Sequence, residues 1–204
     1  MPCTVKQVKK IKKQRKEQME VFKKSGSMDI KFCTACGSLT VQKIPFEDDH
    51  VRAVCSVCGL VHYNNPKMVV GCIPEWQDKI LLCKRNIEPR SGKWTLPAGY
   101  LENGESVQAG AVRETREEAR AEVKVINPYR LFNILFVDQI YFMFRAAMTS
   151  DQFGPTTESS EVRLFDEKDI PWDEIAFEVI RQTLEHYFAD RKKGRYPFRI
   201  FDLG

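Results

Sequence analysis

Two pairs of cysteines constrain what the N-terminal part of this chain can fold into. Cys33 and Cys36 form one Cys-x-x-Cys pair, Cys55 and Cys58 form a second, and eighteen residues separate the pairs. Two such pairs at this separation are typical of one tetrahedral zinc site. Because four thiolates close the coordination sphere of the ion, we expect this Zn²⁺ to be structural and not catalytic.

The region around these cysteines depends on its metal. Residues 29–66 are few, and domains below about 40 residues usually need a staple in addition to a hydrophobic core. A structural zinc ion supplies an apparent ~10–16 kcal/mol, comparable to the whole stability of a normal domain. A redox role for the Cys-x-x-Cys pairs is the alternative, but one tetrahedral site explains two symmetric pairs better. We therefore predict a zinc ribbon over residues 29–66, with tight turns at Gly37 and Gly59.

A second constraint is the acidic run Arg113-Glu-Thr-Arg-Glu-Glu118. On a helix, Glu117 and Glu118 lie about 60° behind and about 40° ahead of Glu114, so the three carboxylates share one face. Like charges at these spacings repel by roughly 0.2–0.5 kcal/mol per pair, whereas a divalent cation makes the same crowding favourable. An exposed glutamate-rich face with a chance spacing is the alternative. The run favours a metal-dependent phosphate site.

Together with the preceding glycine loop, the acidic run resembles the Nudix box, in which a glycine and a glutamate precede the run Arg-Glu-apolar-x-Glu-Glu-x-Gly-apolar. The matching positions are Gly99, Glu105, Arg113, Glu114, Glu117, Glu118 and Ala121. Arg120 departs from the pattern, because it occupies the final glycine position, where a positive φ is easy only for glycine. We expect Arg120 either to lengthen the helix or to accept roughly 1 kcal/mol of strain. The departure removes no ligand.

The resemblance implies an α/β fold: a Nudix α/β/α sandwich with a mixed sheet over residues 67–204, preceded by the four-cysteine ribbon. Within it, the pattern predicts a helix from the N-cap Ser106 to about Ala119 and a second helix from about Trp172 to Arg191. Short apolar runs predict strands, including Val123–Ile126 and Tyr129–Phe136 as two separate ones.

The resemblance also implies Mg²⁺ or Mn²⁺ as the catalytic cation. We expect the cation ligands to be the Ala98 carbonyl and the carboxylates of Glu114, Glu117 and Glu118, with Arg113 orienting the helix carboxylates. Family members often add an acid from a later loop; Glu158 and Glu161 are the candidates here, and Glu161 aligns better. Either Glu114 or this distal acid would activate the attacking water.

The layout of ribbon and box most resembles the plant-type ADP-ribose/FAD diphosphatases, which implies cleavage of FAD or ADP-ribose to release AMP. The zinc-ribbon NADH diphosphatases carry a Ser-Gln-Pro-Trp-Pro-Phe-Pro signature after the box, whereas residues 123–148 hold one proline, Pro128. Arg85 and Trp94 are candidates for phosphate or ring contacts. The alternatives are an NADH diphosphatase or RNA NAD-decapping enzyme, and a non-catalytic RNA-binding protein with a Nudix fold.

Charge is concentrated at the start of the chain, where residues 1–28 hold nine Lys or Arg and two Glu. We predict a basic tail that is helical or flexible. Three interpretations of it are considered: a solvated basic helix, an organelle-targeting segment, and a contact with nucleic acid or an acidic membrane. The expected location is cytoplasmic, with mitochondrion or plastid as the alternative. The expected partner is a small-molecule nucleotide, without membrane or nucleic acid, and a homodimer is left open.

Overall fold

The computed structural model describes residues 30–204. It divides into two compact units, with the boundary between Asn65 and Pro66. The predicted basic tail, residues 1–28, lies outside the described residues. None of the helices in residues 30–204 has the length and apolar character needed to cross a membrane.

The first unit is a three-stranded antiparallel sheet in the order β1-β2-β3. Its strands are β1 (Thr40–Lys43), β2 (Arg52–Cys55) and β3 (Val61–His62). The apolar core is small: over residues 30–65 the buried apolar side chains are Cys33, Ala53, Val54 and Cys55, whereas Phe46 is 91% exposed. So little buried apolar surface agrees with the expectation that this unit needs a metal to fold.

The second unit is built on an eight-stranded mixed sheet. Its strands are β4 (Lys67–Trp76), β5 (Lys79–Arg85), β6 (Trp94–Thr95), β7 (Ala98–Tyr100), β8 (Val123–Ile134), β9 (Gln139–Met148), β10 (Ser159–Phe165) and β11 (Arg199–Leu203). The order is β10-β5-β4-β9-β8-β11, with β6 paired to β5 and β7 paired to β4. The β4–β9 and β8–β11 pairs are parallel and the others are antiparallel.

Two helices cover the sheet: α1 (Val107–Ala119) and α2 (Glu178–Arg191). Alternate residues of β5 enter two separate hydrophobic clusters, as the two-residue period of a strand requires. Leu81 and Cys83 join the cluster that contains Ala111 of α1, whereas Ile80 and Leu82 join the cluster that contains residues of α2. One helix therefore lies on each face, which confirms the predicted α/β/α sandwich.

Helix α1 begins where the sequence predicts. The Ser106 side chain accepts a hydrogen bond from the Ala109 N–H at 3.1 Å, and the helix continues to Ala119. At its end Arg120 adopts φ 54° and ψ 20°, a left-handed conformation, and its N–H donates to the Arg116 carbonyl at 2.8 Å. Of the two outcomes expected at Arg120, the chain takes the strained one and does not lengthen the helix.

Two predicted boundaries are wrong. The strands expected on either side of Pro128 form one strand, β8, whose register with β9 shifts near that proline, so a local irregularity absorbs the break. Helix α2 begins at Glu178 and not at Trp172, because Trp172–Glu174 forms a 3₁₀ turn and Ile175 then forms an isolated β-bridge with Trp94. The Ala176 N–H donates to the Trp94 carbonyl at 2.8 Å, which the helical conformation would not allow.

Replacing Arg120 with glycine is expected to stabilise the protein. A left-handed residue with a Cβ costs about 1–2 kcal/mol, and the greater freedom of glycine in the unfolded chain offsets about 0.4–1 kcal/mol, so the net gain should be about 0.5–1 kcal/mol. Urea denaturation of R120G measures it. The matched control is R116G, the same change at an exposed position inside the helix, which should lose about 1 kcal/mol. Equal losses in both variants would contradict the assignment of strain.

Candidate functional site

The four cysteines of the first unit converge on one point. Their sulfurs lie within 4.8 Å of one another, and the Cys33–Cys58, Cys36–Cys55 and Cys36–Cys58 sulfur separations are 3.6, 3.4 and 3.6 Å. Sulfurs at the corners of a tetrahedron with Zn–S bonds of about 2.3 Å lie about 3.8 Å apart. The donor set and its spacing therefore fit one zinc ion.

Backbone N–H groups support the cysteine sulfurs. Ala35 N–H points at the Cys33 sulfur at 3.4 Å, and the N–H groups of Val57 and Cys58 point at the Cys55 sulfur at 3.4 and 3.3 Å. The turns that aim these donors need left-handed glycines, and Gly37 and Gly59 have φ values of 72° and 75°. Donors directed at sulfur stabilise thiolates, the form that binds metal.

In the second unit, the Arg113 guanidinium organises the acidic helix. It donates to Glu105 at 2.7 and 3.0 Å, to Glu114 at 2.7 Å and to Glu117 at 2.9 Å. A further N–H donates to the Tyr100 carbonyl at 3.1 Å, which ties the guanidinium to the end of β7. The hydrogen bonds from Arg113, with a further one from the Glu102 N–H, lower the pKa of the Glu105 carboxyl to about 2. This carboxylate therefore stays charged.

Gly99 brings the loop against the helix. A Cβ at this position would lie 2.3–2.5 Å from the carboxylate atoms of Glu114, so every other residue would displace that carboxylate. Burial raises the pKa of Glu114, while its bond to Arg113 lowers it. Glycine at this position therefore leaves room for the Glu114 carboxylate beside β7.

Glu118 is the most buried of the three helix carboxylates. Its side chain accepts the Ala98 N–H at 3.0 Å, and the residue is 6% exposed. Burial raises the pKa of Glu118 to about 8; the charges of Glu114 and Glu158 also raise it, while the Ala98 N–H and the charge of Arg85 lower it. A proton and a cation therefore compete for this carboxylate near neutral pH.

The second unit offers oxygen donors for a cation around α1 and the Gly99 loop. Glu114 and Glu117 are held by Arg113, and Glu118 by Ala98. Among the described residues, two groups bring three or more potential ligand atoms within 4.8 Å of one another: the four cysteines, and Asp48, Asp49 and His50. The carboxylates of α1 form no such group and are more widely spread. Carboxylate oxygens are the donors that Mg²⁺ and Mn²⁺ prefer, so the donor chemistry of these residues, though not their present spacing, suits such an ion.

The two loop acids have different surroundings. Glu161, the residue favoured by the sequence, is paired with Lys84 at 3.5 Å and with Arg163 at 3.3 Å. Glu158, which sequence reasoning placed second, is near enough for its charge to raise the pKa values of both Glu114 and Glu118. The register between β10 and β5 shifts between Ser159 and Glu161, an irregularity that the sequence pattern does not show.

The two candidate substrate residues are placed differently. The Arg85 side chain donates to the Pro89 carbonyl at 2.9 Å, its guanidinium lies 5.1 Å from the Phe177 ring centre, and its charge reaches Glu118. Trp94 is 4% exposed and packs edge-on against Phe165 in the core, with ring centres 4.9 Å apart. A substrate contact by Trp94 would have to involve that small exposed part.

The fold and the two donor sets define a class: an α/β sandwich with an acidic helix, preceded in the chain by a four-thiolate ribbon. Comparison with known families agrees. The Nudix domain model matches residues 65–186, and the Nudix N-terminal model, a zinc ribbon, matches residues 31–64. The chain belongs to the Nudix family.

Individual relatives add detail. The crystal structure of a Nudix hydrolase from Nitrosomonas europaea is 46% identical, with a TM-score of 0.83 over 85% of this chain and 99% of that one. The NAD-capped RNA hydrolase NudC of Vibrio parahaemolyticus is 27% identical over 80% of this chain and 63% of its own length. An ADP-ribose pyrophosphatase of Methanocaldococcus jannaschii is 43% identical over 31% of this chain and 37% of its own length. This chain spans 46–63% of the length of the first NudC relatives.

Zinc is expected to decide whether the first unit folds. Cys36→Ser removes one thiolate of four, so the variant should lose its metal and unfold or aggregate in this unit. Metal analysis of the purified protein should give one zinc per chain, and less in C36S. The control is Cys83→Ser, a cysteine buried in the second unit, which should keep its zinc. Wild-type protein without zinc but with the first unit folded would contradict the assignment.

Proposed function

We propose that this protein hydrolyses the diphosphate bond of nucleoside diphosphate derivatives and that ADP-ribose and FAD are its preferred substrates. The products would be AMP with ribose 5-phosphate or FMN. The observation that carries the proposal is the arrangement of α1 against the Gly99 loop, where Arg113 holds Glu114 and Glu117 and the Ala98 N–H holds Glu118.

The chemistry explains why such an arrangement is useful. Diphosphate oxygens are anionic and repel a nucleophile, so hydrolysis needs positive charge and an aligned, deprotonated water. A divalent cation, when bound, supplies charge neutralisation and lowers the pKa of water. The carboxylates of Glu114, Glu117 and Glu118 would hold it. Arg113 limits the motion of Glu114 and Glu117, and the Ala98 N–H limits that of Glu118. Glu114, whose pKa is raised by burial, or the loop acid would accept the proton of the attacking water.

The preference for ADP-ribose or FAD over NADH rests on the sequence after the box. The proline-rich signature of the zinc-ribbon NADH diphosphatases is missing between residues 123 and 148. The Methanocaldococcus jannaschii ADP-ribose pyrophosphatase is similar to this chain over 63 residues, and that similarity supports ADP-ribose as a substrate.

NADH or NAD-capped RNA is the second candidate substrate. Relatives named NAD-capped RNA hydrolase are 27–30% identical over 80–82% of this chain, a longer match than that of the ADP-ribose pyrophosphatase. A binding-only role in RNA recognition is less well supported, because all the box carboxylates are present. Between Cys36 and Cys55 the ribbon holds two basic residues, Lys43 and Arg52, and Arg52 is paired with Asp48 at 3.0 Å. Little positive charge is therefore free to bind phosphate.

Removing the charge of Glu118 is expected to abolish most turnover. Glu118→Gln keeps the shape of the side chain but removes one negative charge, so the turnover of ADP-ribose with saturating Mg²⁺ should fall by at least about 10²-fold. The melting temperature should barely change, because glutamine has the same shape and keeps an oxygen that can accept the Ala98 N–H. E122Q, a charge removal at an exposed glutamate just beyond α1, serves as the control. Near-normal turnover in E118Q would contradict the assignment.

The substrate ranking is tested by comparing kcat/KM for FAD, ADP-ribose and NADH, and for RNA with and without an NAD cap, in one buffer with one metal. Apolar contacts alone separate similar ligands by only about 1–3 kcal/mol, so we expect overlapping rates with ADP-ribose or FAD ahead. An advantage of about tenfold or more for NADH or for capped RNA, roughly 1.4 kcal/mol in transition-state binding, would replace the first candidate with the second.

A further inference from the structure

The last strand of the large sheet depends on side chains of its neighbours. In the part of the chain that the structure describes, β11 pairs with one strand, β8, and its other edge is free. Phe198 and Ile200 are 45% and 60% exposed, whereas Phe201 and Leu203 pack into the hydrophobic cluster that contains residues of α2. Residues 197–204, here called the strap, are therefore held by β8 on one side and by α2 beneath.

A buried arginine joins the strap to both elements. Arg130, on β8, is 1% exposed, and its guanidinium donates to the Pro197 carbonyl at 2.6 Å. It also donates to the Asp190 carboxylate of α2 and to the Tyr129 hydroxyl, and that hydroxyl donates to the same carboxylate at 3.0 Å. Because a buried charge that loses its partner is very costly, Arg130 and Asp190 are confined to one arrangement.

His186 of α2 completes the surroundings of this arginine. Its ring stacks on Phe201 of the strap, with ring centres 4.6 Å apart, and its Nδ1 accepts the Arg130 Nε–H at 3.4 Å. Only a neutral imidazole has a ring nitrogen that can accept a hydrogen bond; in the protonated ring both nitrogens are donors. Protonation of His186 would therefore set N–H against N–H, and positive charge against positive charge, beneath the strap.

The charged groups that face His186 come from three elements: Arg130 of β8, Asp190 of α2 and Arg199 of β11. Two are positive and one is negative, and the carboxylate of Asp190 already accepts hydrogen bonds from Arg130 and Tyr129. Burial lowers the pKa of His186, and so do the charges of Arg130 and Arg199, while Asp190 raises it; the net shift is downward. The neutral imidazole is thus the form that suits the closed strap.

We propose that His186 is a pH-sensitive switch for the strap: the neutral ring keeps residues 197–204 closed on α2 and β8, and protonation releases them. The inference is independent of the proposed function. Since the pKa of His186 is lower in the closed form than in water, the closed form is fully stable above about pH 6.5, the ordinary pKa of histidine, and loses stability as the pH falls below it. Opening takes up one proton, so acid favours it by up to about tenfold per pH unit.

Hydrogen exchange of the full-length protein, corrected for the intrinsic pH dependence of amide exchange, tests the switch. Between about pH 7.5 and about pH 5, the amides of β11 should lose about tenfold of their protection. The amides of β4, inside the same sheet, should lose much less. H186Q, which cannot be protonated, should remove the pH dependence at β11. The matched control is H50Q, the same change at an exposed histidine of the first unit, which should keep it.

An NMR titration of the three histidines in the wild-type protein gives a second measurement, which decides the matter even if H186Q does not fold. The ring of His186 should titrate below the ordinary value of about 6.5. The inference is overturned if His186 titrates at or above that value, if the β11 amides keep their protection at pH 5, or if folded H186Q loses protection at β11 as the wild type does.

Discussion

The site depends on one guanidinium. Arg113 contacts Glu105, Glu114 and Glu117 as well as the backbone of Tyr100, so a single positive charge offsets three negative ones and joins α1 to the loop in front of it. Without that charge, acids at helical spacing would repel one another and turn away from the loop. Since the side chains of Arg113, Glu105 and Glu114 are all largely shielded from water, these two pairs are stronger than surface pairs would be. The orientation of the acidic face is therefore set before any ion or substrate arrives.

The rest of the fold brings backbone to that face. Strand β7 pairs with β4 through Ala98 and Gly99, which fixes the loop on the sheet. The missing side chain at Gly99 then lets the loop touch Glu114, and the Ala98 N–H reaches Glu118. Helix α1, strand β7 and strand β4 thus meet at this point, where β7 contributes main-chain atoms. A substitution at this point would disturb all three elements at once.

The sequence predicted most of the architecture because its strongest signals are local. The cysteine spacing, the Ser106 cap and the acidic helical face each depend on a few neighbouring residues, and the sandwich follows from the family resemblance. The two wrong boundaries, in β8 and at the start of α2, lie where tertiary contacts decide. The start of α2 is displaced because Ala176 bonds to Trp94, far away in sequence. The relative positions of Glu158 and Glu161 depend on a register shift in β10, which no periodicity reveals.

The two donor sets in this chain select cations by opposite criteria. Thiolates are soft ligands and retain zinc, whereas the oxygens around α1 suit harder ions. By the Irving–Williams order, however, zinc also binds oxygen and nitrogen sites more tightly than manganese does, so selection at α1 depends on which metal is abundant. The ion that folds the ribbon would thus become a competitor at the helix when free zinc rises. Cellular zinc buffering would then matter to this protein twice: as the supply of zinc for the ribbon and as protection of the proposed site on α1.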